Sequence, residues 1–126
     1  DVIIQMSLKE KLLVQFKGQL IYFIDELIEQ FPEESDFIII RILIKDQMNI
    51  EDIIEKFIAD ILPNKQDIKD RKNSFFIENK FLETRNGSLF KTIWESENLD
   101  EDDKKIIWKW MDLFVCIAQK YNKLNI

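Results

Sequence analysis

The sequence contains no histidine and only one cysteine, Cys116, in 126 residues. The first absence removes the commonest general base near neutral pH. It also removes Ser–His and Cys–His nucleophile pairs and every histidine-containing zinc site. The second rules out an internal disulfide and argues against cysteine-rich zinc or iron–sulfur centres. A chain without an internal disulfide is unlike a stapled secreted domain, so an intracellular, reducing compartment is the expectation.

Glycine and proline are scarce, at two each. All-β folds and glycine-rich ligand loops need more turn residues, so long helices joined by short turns are expected. Neither a phosphate-binding loop nor a dinucleotide fingerprint is present. Apolar runs are short; Phe37–Ile40 is interrupted by Arg41, and nothing approaches the roughly 18 residues of a membrane span. Basic charge is outnumbered as well. The formal charge of −6 disfavours phosphate-rich partners and anionic membrane surfaces. With these parts missing, the chain reads as non-enzymatic and without a cofactor.

What is present suits a helical core. Hydrophobic residues make up 46% of the chain and include ten phenylalanines, enough to fill a single domain of this length. Residues 1–6 are set aside as an N-terminal extension or cloning remnant, which leaves one helical domain over 7–124. Ser7 with Glu10 forms a capping box. Leu12, Phe16, Leu20, Phe23, Leu27 and Phe31 then recur at helical spacing, predicting a first helix over Leu8–Gln30 that Pro32 ends. Gly18, inside it, is expected to admit a close neighbouring helix.

Phe37–Ile44 suits a buried helix or a buried strand; helix is preferred, because Glu33, Glu34 and Asp36 sit where a helix start wants acids. Asn49 is expected to cap a third helix, buried along Ile50, Ile53, Ile54, Phe57, Ile58 and Ile61 and stopped by Pro63. A helical turn around Ile68 follows. Ser74 then caps a fourth helix that runs through Phe75, Phe76, Phe81 and Leu82. Asn86-Gly87-Ser88 marks a turn. A short fifth helix carries Leu89, Phe90, Ile93 and Trp94. Asp100 caps a last helix over Glu101–Lys123. The resulting fold class is all-α, a compact bundle of five to six helices with long first and last members.

Three features invite functional readings. The last helix is apolar over more than half its circumference. It is therefore either central or presents Trp108, Met111 and Val115 outward as a line for a protein partner or a second copy of the chain. The segment 65–91 is locally basic, with a net charge of +3. Lys69, Arg71, Lys72 and Lys80 beside Phe75 and Phe76 could bind single-stranded nucleic acid, although a solvated loop explains them more simply. The acidic run Asp100–Asp103 could serve a carboxylate-only metal-dependent enzyme. It lacks the glycine and spacing of a calcium loop, and helix capping accounts for it, so no metal site is assigned. Cys116, between apolar chain neighbours, is expected to be a buried, inert thiol.

Three stretches also carry a family likeness: Phe23-Ile24-Asp25-Glu26-Leu27 leading to Phe31-Pro32, then Phe75-Phe76, then Leu99–Tyr121 with its IIWKWMDLFVCIAQKY segment. In these the chain resembles a group of small helical proteins encoded by nucleocytoplasmic large DNA viruses. The resemblance implies a viral origin, and with it the host cytoplasm or the virion as location; it brings no activity or functional residues. The expectation is a protein-interaction or structural module that acts by self-association or by docking a partner protein. Nucleic-acid association and metal-dependent catalysis are the alternatives.

Overall fold

A computed structural model describes residues 7–79, 83, 84 and 87–124. Among these residues seven helices form: α1 (Leu8–Gln30), α2 (Ser35–Ile42), α3 (Ile50–Asp60), α4 (Lys65–Lys69), α5 (Ser74–Glu78), α6 (Leu89–Trp94) and α7 (Glu101–Leu124). Five have six residues or more, while α4 and α5 are single turns, so the expected all-α bundle with long first and last helices is what forms. A π-helical turn, Leu43–Gln47, extends α2, and a 3₁₀ turn, Leu62–Asn64, follows α3. Two-residue strands β1 (Glu83–Thr84) and β2 (Gly87–Ser88) pair antiparallel, Glu83 opposite Ser88 and Thr84 opposite Gly87. Gly87 has a φ of 99°, which only glycine adopts without strain. Of the turn expected at Asn86-Gly87-Ser88, Gly87 and Ser88 form β2, and Asn86 lies outside the described residues.

Caps set most helix starts. Ser7 Oγ accepts from the Glu10 amide (3.1 Å), and Asn49 Oδ1 accepts from the Glu51 amide (2.8 Å). Asp100 Oδ1 accepts from the Asp103 amide (2.8 Å), while Asp103 Oδ2 reaches back to the Asp100 amide (3.2 Å). This reciprocal pair is a capping box with aspartate in the third position, and it occupies the acidic run. The α5 start differs from expectation: Ser74 is the first helical residue rather than its cap. Asn73 precedes it, and its Oδ1 instead accepts from Trp94 Nε1 at 3.2 Å. Helix α5 ends at Glu78; Phe81 and Leu82, expected to continue it, lie outside the described residues, as do residues 1–6.

The core is organised around α7. Ile107, Trp108, Met111, Phe114, Ile117, Ala118 and Tyr121 are all buried, against α1 on one side and α3 and α4 on others. Phe114 meets Phe16 and Phe23 of α1 and Phe57 of α3 with ring centroids 5.7, 5.6 and 6.2 Å apart. Trp108 meets Phe76 of α5 at 4.6 Å and Trp94 of α6 at 5.2 Å. Such edge-on and tilted pairs each add about 0.5–1.5 kcal/mol beyond the area they bury. The wide apolar face of α7 therefore belongs to a central helix, enclosed on several sides.

Gly18 does not serve a close helix crossing. A methyl group placed there would meet nothing within 4 Å.

Candidate interaction groove

The line expected to face outward on α7 does not do so. Trp108 is 5% exposed and Met111 2%, and Val115 is half-buried against the same core. The central position of α7 encloses the first two, so they cannot form a docking surface in the folded chain.

Two residues of the basic segment, Arg71 and Lys72, are engaged within the protein. Arg71 donates two hydrogen bonds to Asp112 of α7, and its guanidinium lies 5.6 Å from the centre of the Trp108 ring. The hydrogen bond to Asp112 raises the Arg71 pKa further above its ordinary value. Lys72 faces Asp67 at 3.7 Å. Lys69 is exposed. Lys80 lies outside the described residues. Two of the four cations thus hold the α4–α5 loop to its own protein.

Cys116 is exposed, contrary to expectation. On a helix its surface neighbours are Asp112 and Lys120, one turn away on either side, and both are exposed. The apolar residues beside it in the chain, Val115 and Ile117, point in other directions. Among the described residues, no group of three or more cysteine, aspartate or glutamate side chains gathers as metal ligands. No helix among them is long and apolar enough to cross a membrane.

A concave feature lies beside the basic segment, lined in part by its Asp67, Ser74 and Phe75. A groove of about 1510 Å³ runs between α2, the π turn, α3 and α5. Its floor is Ile40, Ile44, Ile53 and Phe75, all buried. Its wall is unusual, because Ile39, Leu43 and Met48 are 54%, 39% and 45% exposed. Ile38 and Ile42 extend the same helix surface outward beyond the groove. Helix α2 buries only Phe37 and Ile40, so most of its isoleucines face solvent. Contiguous apolar exposure of this kind marks interaction sites in soluble proteins.

The π turn shapes this wall. The Met48 amide bonds to the Leu43 carbonyl at 2.7 Å, five residues back. Met48 then leaves the helix in extended conformation (φ −97°, ψ 145°). In a continuing α-helix it would have followed Ile40 and Ile44 into the core; here it stands in the groove wall. The turn is fixed from outside by Lys17 of α1, whose Nζ donates to the Lys45 carbonyl at 3.0 Å. Arg41 ties α2 to α1 through Asp25. Irregular helical turns of this type concentrate at functional positions.

A second, smaller cleft of about 400 Å³ lies between α1 and α7. It is crossed by hydrogen bonds from Trp110 Nε1 to Glu26 Oε2 and from Gln30 Nε2 to Asp103 Oδ2, both 2.8 Å. These bonds fasten the two helices together across it.

Set against protein-family models, curated proteins and solved structures, the chain matches none of them.

Proposed function

We propose that this chain is a non-enzymatic protein-interaction module that holds an apolar helical segment of a partner in the α2–α3–α5 groove. The observation that carries this reading is the exposure of Ile39, Leu43 and Met48 beside a ready-made apolar floor. Leaving these side chains in water forgoes about 25 cal/mol for each Å² they could bury. The groove also exceeds the roughly 300–1,000 Å³ of small-molecule sites, which favours a macromolecular occupant. Helix-in-groove docking uses apolar anchors one turn apart, and such anchors would meet this wall and floor. The likeness to viral helical proteins supports a viral origin for the module, working in the reducing host cytoplasm or in the virion.

The test is amide chemical-shift mapping with a neutral amphipathic helical peptide. Shifts confined to the residues around Ile39, Leu43, Met48 and Phe75 are expected. Shifts elsewhere, or none at millimolar peptide, would refute the reading. Light scattering across a concentration series separates a foreign partner from a second copy of the chain. A mass that rises with concentration, and no longer does so in the Leu43→Asp variant, would make the occupant a second copy.

A further inference from the structure

The groove has an edge as distinctive as its floor. Asp36, Asp52, Asp60, Asp67, Glu78 and Glu83 line it, against one cation, Lys56. Lys56 pairs with Asp60 at 3.1 Å, and Asp67 is faced by Lys72. Asp52, Glu78 and Glu83 have no cation partner among the described residues.

Helix stability accounts for part of this charge and not the rest. Asp36 and Asp52 lie in the first turns of α2 and α3, where the helix dipole favours an acid. Asp60 and Glu78 are the last residues of α3 and α5, where the same dipole opposes one. Lys56, one turn back, compensates Asp60, whereas Glu78 has no such partner among the described residues and is left for what the groove meets.

Resting on the docking reading above, we infer that the occupant is a basic amphipathic helix, with apolar anchors on one face and lysine or arginine on both flanks. The apolar face enters against Ile39, Leu43, Met48 and Phe75. The flanking cations reach the carboxylates on the rim, of which Asp52, Glu78 and Glu83 have no cation partner among the described residues. An acidic helix of equal hydrophobicity is repelled by the same rim, so the groove selects by charge as well as by fit. Nucleic acid and anionic lipid are excluded from the groove for that reason.

The experiment uses two synthetic helical peptides with the same leucine and isoleucine face, one flanked by lysine and the other by glutamate. Fluorescence anisotropy measures binding of each to the whole chain at about 0.05 M and about 0.5 M salt, either side of strong screening. The lysine peptide is expected to bind at least ten-fold more tightly at low salt, with most of that difference gone at high salt. The double variant Glu78→Gln/Glu83→Gln, both at exposed positions, should weaken the lysine peptide about five-fold and spare the glutamate peptide. Equal binding of both peptides would overturn the charge inference and leave the docking reading standing. So would a preference for the glutamate peptide. Binding of neither would overturn the docking reading itself. The variant Leu43→Asp controls for site: if it still binds the lysine peptide at full strength, the peptide sits elsewhere and the inference fails.

Discussion

Arg71 and Asp112 are joined by two parallel hydrogen bonds of 2.8 and 2.7 Å, across 41 residues of chain. Arg71 also has a φ of 55°, the only non-glycine residue with positive φ among those described. That backbone conformation costs an L-residue about 1–2 kcal/mol. The fork onto Asp112 and the cation–π contact with Trp108 offset it. Removing the side chain while keeping the strain should therefore be worse than removing both. Arg71→Ala is expected to lower the unfolding free energy by about 1 kcal/mol more than Arg71→Gly, as read from urea midpoints. Both partners are more than a third exposed, so a double-mutant cycle of Arg71→Ala with Asp112→Ala should give a coupling of only about 0.2–1 kcal/mol. If alanine and glycine are equivalent at 71, the backbone there is unstrained.

The two faces of the α2 region should respond oppositely to substitution. Ile39→Lys, on the exposed wall, should change stability by less than about 0.5 kcal/mol. Ile44→Ala, at 1% exposure, should cost about 2–5 kcal/mol. Thermal and urea unfolding of the two variants read this directly. A large loss for Ile39→Lys would mean that the wall packs within the monomer.

Tyr121 is fully buried, and its hydroxyl has no hydrogen-bond partner among the described residues. An unsatisfied buried hydroxyl costs about 1–3 kcal/mol. Tyr121→Phe removes it without changing the shape of the ring. The variant should be as stable as the parent or up to about 1 kcal/mol more stable; a loss of more than about 1 kcal/mol would show that the hydroxyl is satisfied.

Gly18 sits within α1 without a steric reason. Gly18→Ala should raise stability by about 1 kcal/mol, visible as a higher melting temperature. A destabilised variant would reveal a neighbour at that face, such as a second copy of the chain.

Cys116 should react in the native state. One thiol per chain is expected to be modified by an aromatic disulfide reagent without denaturant, at a rate close to that of the unfolded chain. Protection by two orders of magnitude would place the sulfur inside.

Helix positions were legible in the sequence because the cues are local. Ser7, Asn49 and Asp100 each satisfy amides within three residues, so capping needs no knowledge of the fold. The 3- and 4-residue recurrence from Leu12 to Phe31 likewise marks α1 from chain order alone. Cys116 could have been placed too, since Asp112, Cys116 and Lys120 form one exposed stripe at helical spacing. The absence of histidine and of cysteine pairs was also decided by sequence alone.

The groove was not legible. An apolar run such as Phe37–Ile44 states that a helix is hydrophobic, not which of its sides finds a neighbour. Burial of Ile40 and exposure of Ile39 follow from α2 lying at the edge of the bundle, pinned to α1 through Asp25 and Lys17. Trp108 and Met111 went inward because α7 took the centre, where helices from several directions could cover its wide apolar face. The sequence alone determined that this is an acidic chain of capped helices without histidine or a cysteine pair. The tertiary structure alone decided which apolar residues are core and which are surface, because burial belongs to the packing between helices and not to any one of them.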